Sequence, residues 1–199
     1  APVYWELIEP EEGRYDFSTV DYLLKSARAN GQKLILLWFG SWKNSMSCYA
    51  PSWVKRGFNN ESELAANSDG SIPEIMSAFS ERNVRADAKA FASLMKYIRK
   101  ADGSEGTVIM VQVENEIGML GDARDHSKLA QNAYNSPVPY DMMYMLPSGK
   151  ANDHINDVWK AAGKATTGSW KEVFGSSLEA DEIFMAYWYA RYTERVAAA

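Results

Sequence analysis

The chain has 199 residues, 46% of them hydrophobic and 13% aromatic, with a formal net charge of −5. That is enough apolar material for one well-cored domain, or for part of a larger one. Lysine and arginine are scattered without the basic stripe nucleic acid requires, and no uncharged apolar run is long enough for a membrane-spanning helix.

Residues 2–8, PVYWELI, read as a strand that runs into the turn EPEEG. Because the chain opens on strand-like sequence, any leader is expected to lie upstream or to have been removed. Ser18 is expected to cap a helix reaching about Asn30, with Val20, Leu23, Leu24 and Ala27 at helical spacing. Gly31 stands where a left-handed stop is needed. KLILLWFG, residues 33–40, is apolar on both faces and reads as a buried strand, followed by an irregular stretch over 41–80. The single cysteine in that stretch, Cys48, excludes an internal disulfide and has no evident base partner, so it is expected to be inert. A helix follows over 84–100, its stripe formed by Ala88, Phe91, Ala92, Met95 and Ile98. TVIMVQVENEIG, residues 107–118, supplies a third strand. Residues 119–150 lack periodicity, and 119–176 as a whole reads as a capping insertion with one short helix at 152–162. Ser176 and Glu179 have the spacing of a capping box opening a last helix to about Ala197, with Ile183, Phe184, Tyr187, Trp188 and Ala190 on its apolar face.

Strand, helix, strand, helix, strand, with apolar strands, predicts a parallel sheet in an α/β protein. Residues capable of chemistry gather where strands end: Glu6 and Glu9, Trp38 to Lys43, and Glu114 to Glu116. No glycine-rich turn follows the first strand, so a doubly wound nucleotide fold is disfavoured and a barrel is expected. His126 and His154 are isolated, without metal-ligand spacing, and no metal is expected.

Three polar residues closing the run VQVENEIG would be costly there unless something uses them. Gln112, Glu114 and Glu116 share one strand parity, expected to face a barrel interior; Ile109, Val111 and Val113 share the other, expected to face helices. Asn115 and Glu116 cannot both reach one ligand from a regular strand, so the strand should stop or kink near Asn115. Glu114 is expected inside the barrel, held by hydrogen bonds.

WELIEPEEGRYDF (5–17), LILLWFGSW (34–42), APSWV (50–54) and VQVENEIG (111–118) resemble the second to fourth βα units of clan A glycoside hydrolases. The likeness is closest to family thirty-five β-galactosidases and looser to family forty-two. The signature W-x-x-x-E-P-x-x-G-x-[FY]-D-F is met by Trp5, Glu9, Pro10, Gly13, Tyr15, Asp16 and Phe17, and Q-[IV]-E-N-E-x-G by Gln112 to Gly118. The resemblance implies that the chain is part of a TIM (β/α)8 barrel, about strands two to four with their helices. It gives Glu116 the role of general acid/base and sets Asn115 against the sugar 2-hydroxyl.

Trp5, Glu6, Trp42, Lys43 and Asn44 complete the candidate substrate-binding set. Trp42 would stack on a sugar and share a cleft with Trp5 and Glu116. Core packing competes for Trp38 and a structural ion pair for Glu6, while Glu9 reads as fixing its turn. Lys43 and Asn44 occupy the loop where family thirty-five places a segment ending Ala-Glu, a departure from that pattern. The implied partner is an oligosaccharide or polysaccharide, and carboxyl chemistry needs no cofactor.

A retaining enzyme of this kind also needs a nucleophilic carboxylate from strand seven, and no acid from Asp122 to Glu194 ends a convincing buried strand. The chain is therefore expected to be a fragment, inactive alone, with a second chain as one way to complete the barrel. Two alternatives stay open: a catalytically inactive carbohydrate-binding relic, and a non-enzymatic α/β interaction module. The resemblance favours export, to the periplasm or beyond.

Overall fold

The computed structural model describes residues 1–56 and 63–199. Its sheet has three parallel strands, β1 (Pro2–Tyr4), β2 (Leu34–Phe39) and β3 (Val108–Val113), side by side in chain order. The first strand is shorter than its sequence pattern predicts. After Tyr4 the backbone turns into one helical turn, α1 (Trp5–Ile8), which buries Trp5 and Ile8.

The helix α2 (Ser18–Ala29) starts where expected, but Ser18 is not its cap. The cap position is Phe17, with no side-chain bond of its own, and Asp16 just before it accepts the Ser18 amide at 2.8 Å. Gly31 takes φ +62 and ends that helix, as its position predicts. The stretch 41–80 is irregular apart from the short α3 (Ser52–Lys55); its residues 57–62 lie outside the described part.

The helix α4 (Glu81–Asp102) buries Val84, Asp87, Phe91, Leu94 and Ile98. That stripe is rotated from the predicted one, which leaves Ala88, Ala92 and Met95 at its half-buried edge. A carboxylate, Asp87, thus occupies a core position of the helix. At the other end Asp102 accepts the Val108 amide at 2.8 Å and pairs with Arg28 at 2.7 Å, which joins α4 to the start of β3 and to α2.

The two faces of the sheet differ. Val3, Leu36 and Trp38 point to the helices and are buried, Trp38 lying 5.9 Å from the Phe91 ring. Ile35 and Met110 lie on the other face and are largely exposed. Register slips between Leu34 and Ile35, which pair with Val108 and Met110. Ile109 is therefore the extra residue of a bulge and is 60% exposed, not turned to the helices as its parity predicts. Beyond the bulge Val111 and Val113 pack against the core as expected.

Within residues 119–176, α7 (Asp153–Ala161) is the short helix expected at 152–162, and three further helices appear that the sequence did not indicate: α5 (Lys128–Asn135), α6 (Tyr140–Met145) and α8 (Trp170–Phe174). Each is too short for a periodic stripe to stand out. The long α9 (Leu178–Ala197) packs along α4. Its cap is Ser177, which accepts the Ala180 amide, one residue later than predicted; the capping box belongs to Ser169 and Glu172 at α8.

Candidate active site

Two loops meet at the C-terminal end of the sheet. One follows β2 and carries Gly40 to Met46; the other follows β3 and carries Glu114 to Gly118. Regular strand geometry ends at Val113, and Glu114 and Glu116 adopt φ of +63 and +47. The chain thus leaves strand geometry close to Asn115, where the sequence predicts a stop or kink. Facing it, Asn44 and Ser45 also lie in the left-handed region, closing a tight turn in which Lys43 bridges Met46. Such conformations cost non-glycine residues of order 1 kcal/mol or more each and persist only where surrounding contacts enforce them. Here Ser45 N donates to Glu116 O at 2.9 Å and fastens one strained turn to the other.

Glu116 projects into solvent, its side chain 61% exposed, and the Lys43 ammonium lies 3.4 Å from its Oε2. Lys43 also donates to the Asn44 side chain and sits 5.5 Å above the Phe39 ring. Asn115, beside Glu116, is half-buried. The structure thus brings Glu116, Asn115, Lys43 and Asn44 together at one rim. Glu6 is half-buried in α1, its amide bonded to Tyr49 O at 3.0 Å.

The two tryptophans do not join them. Trp42 is 1% exposed, with Tyr192 and Tyr189 edge-on at 4.6 and 5.6 Å. Trp5 is fully buried between Trp38 and Trp53, and its indole N–H donates to Glu9 Oε2 at 3.0 Å. Neither ring has a face open to a sugar, so the cleft expected between Trp5, Trp42 and Glu116 is not there. Chain direction is the reason: the turns after Tyr4 and Phe39 swing both indoles to the helix side. Glu9 holds its turn as expected, accepting also from the Gly13 amide at 2.8 Å.

Aromatic surface at the rim comes from residues outside the expected substrate-binding set. Tyr4, Phe39 and Tyr49 form one cluster, with Tyr4 lying 5.5 Å from Phe39 and 4.5 Å from Tyr49. Tyr4 and Tyr49 are half-buried. Strand parity could have found two of them: Phe39 shares the open face with Ile35, and Tyr4 pairs with Phe39.

Glu114 turns away from Glu116. Its carboxyl is buried on the helix-covered side, accepting the Trp42 amide at 2.8 Å and the Ser41 amide at 3.2 Å. It is held by hydrogen bonds as expected, but beneath the loops instead of inside a barrel. Asp87 lies against it. Burial first, then the negative charge of Asp87, pushes the Glu114 carboxyl well above the usual carboxylate range.

Among the described residues no group of histidine, cysteine and acidic side chains could hold a metal ion. His126 lies 3.2 Å from an Arg124 nitrogen.

The chain is similar to known glycoside hydrolases. The family model of glycoside hydrolase family forty-two, described as Beta-galactosidase, matches residues 1–175. A β-galactosidase of Xanthomonas manihotis is 31% identical over 139 residues, which cover 65% of this chain and 20% of the relative. The chain therefore spans about a fifth of the length of that curated relative. The model that matches is of the looser of the two likenesses carried by the motifs. With most of its length under that match, the chain belongs to glycoside hydrolase family forty-two.

Proposed function

We propose that this chain carries the acid/base half of a retaining, β-galactosidase-like glycoside hydrolase that removes terminal sugars from glycans. Glu116 protonates the departing glycosidic oxygen and then takes a proton from the water that hydrolyses the glycosyl-enzyme. Asn115 bonds the sugar 2-hydroxyl, and Lys43 and Asn44 make further polar contacts from the facing loop. Tyr4 and Tyr49, rather than Trp5 and Trp42, offer the apolar sugar face a surface. The nucleophilic carboxylate comes from outside residues 1–199, and the three strands form one sector of a (β/α)8 barrel that other chain completes. Residues 119–176 cap that sector. Within this reading the E-N-E order of Glu114 to Glu116 keeps the site close to the family thirty-five pattern.

The observation that carries the proposal is the exposed Glu116 carboxylate at the C-terminal end of a parallel sheet, on a backbone kink beside Asn115. The test is hydrolysis of an aryl β-galactoside by a full-length protein containing this chain, with and without Glu116→Gln. Loss of the acid/base should lower the rate by roughly 10²–10⁴-fold. A rate near the parental one would remove Glu116 from the role.

A further inference from the structure

Beneath the rim, Asp87 of α4 and Glu114 meet in a space with no room for a further atom. A Cβ added to Gly40 would lie no more than 2.7 Å from Trp38 Nε1, Glu114 Oε1 and Asp87 Oδ1 alike. Asp87 accepts from Trp38 Nε1 at 2.9 Å, from Ser41 N at 3.0 Å and from Ser41 Oγ at 2.6 Å, with Tyr192 Oη 3.3 Å away. Glu114 accepts from the Ser41 and Trp42 amides. Among the described residues the groups bonded to the pair are Trp38 of β2, Ser41 and Trp42 of the loop, and Tyr192 of α9, none of them a cation. Tyr192 lies 2.7 Å from Ser41 Oγ, and burial raises its phenol well above the usual value, so it keeps its proton.

Two ionised carboxylates in such a place would repel at low dielectric, with neutral donors but no cation among the described residues bonded to them to offset the repulsion. We propose that Glu114 and Asp87 share one proton, carried on Glu114, and that this pair clamps the β2 loop to the β3 loop, making Glu114 a positioning residue for Glu116. The proton belongs on Glu114 because Asp87 already takes the larger set of donors. The acid donates to Asp87 through one oxygen and accepts the Trp42 amide through the other. Lys43, next in the chain, then reaches Glu116. Only the part concerning Glu116 rests on the function proposed above; the shared proton does not.

A carboxyl whose folded-state pKa is raised contributes stability that is complete below about pH 4.3 and is lost as pH rises. Glu114→Gln keeps a donor for Asp87 and an acceptor for Trp42 but cannot ionise. Thermal unfolding of the full chain and of Glu114→Gln between pH 5 and 9 should therefore show the variant gaining on the parent, by about 2–4 °C or more. An infrared carbonyl band of a protonated carboxyl should be present in the parent at neutral pH and absent in Glu114→Gln. A variant that loses ground as pH rises, or a parent without that band, overturns the shared proton.

Hydrogen exchange tests the clamp. In Glu114→Leu the Trp42 and Ser45 amides should exchange at least tenfold faster, and Glu114→Gln should restore their protection. Parental protection in folded Glu114→Leu overturns the clamp. If Glu114→Leu does not fold, faster exchange of those two amides in Glu114→Gln overturns it instead.

Discussion

Lys43 Nζ stands 3.4 Å from Glu116 Oε2, across the gap between the loops that follow β2 and β3. The pair is one of opposite charges on separate elements, with Glu116 mostly in solvent. An exposed pair of this kind contributes at most about 1 kcal/mol to folding. Lys43→Met should therefore leave the urea midpoint nearly unchanged while lowering kcat/KM toward an aryl β-galactoside. A large stability loss with unchanged kinetics would make Lys43 a structural residue.

The tryptophan and tyrosine rings near the rim should separate cleanly. Trp42→Ala removes a fully packed ring and should cost about 3–5 kcal/mol in urea unfolding. Tyr49→Ala should cost less stability and raise KM. If Trp42→Ala instead raises KM in a protein of parental stability, the indole is a sugar platform after all.

Gly40 has a narrow tolerance. Its missing Cβ leaves space filled by Trp38, Glu114 and Asp87. Gly40→Ala forces rigid, buried groups apart and should destabilise by roughly 1–3 kcal/mol, read from a chemical denaturation curve. A neutral substitution would mean that these groups move freely.

Acid sensitivity should come from two carboxylates away from the rim. Burial pushes the Asp102 carboxyl up, but hydrogen bonds from the Val108 amide, Thr107 and Arg28 outweigh it and hold it well below the usual range. Asp122 is lowered to about 2, with hydrogen bonds from Ser68 as the largest cause. Depressed carboxyls of this sort stabilise above their unfolded pKa of about 3.9, and the contribution is lost as pH falls below it. Asp102→Asn and Asp122→Asn should each be less stable at pH 7 and show a shallower decline between about pH 4 and 2. A parental slope in both variants would place the acid response elsewhere.

Sequence alone carried the parallel sheet, the long helices and the break near Asn115, because each has a local cause. Apolar runs, helical spacing and two polar residues needing one direction are visible in one segment of chain. The fate of Trp5 and Trp42 was not, because it depends on how the chain turns after a strand, which neighbouring elements decide. Asp87 did leave a signal. It stands three residues after Val84 and four before Phe91, a charge in the middle of an apolar stripe. The helix at 152–162 was legible, but α5 and α8 were hidden because their apolar residues satisfy contacts with neighbouring helices rather than one long face.

The bulge at Ile109 also bears on how the protein behaves in a tube. Ile109 and Met110 present apolar side chains along the outer border of the sheet, where β3 has a neighbouring strand on one side only among the described residues. Such a border is a template on which another copy can stack. Concentrated preparations of the isolated chain should thus be prone to β-rich aggregation, and Ile109→Lys is the gatekeeper substitution that would keep them dispersed.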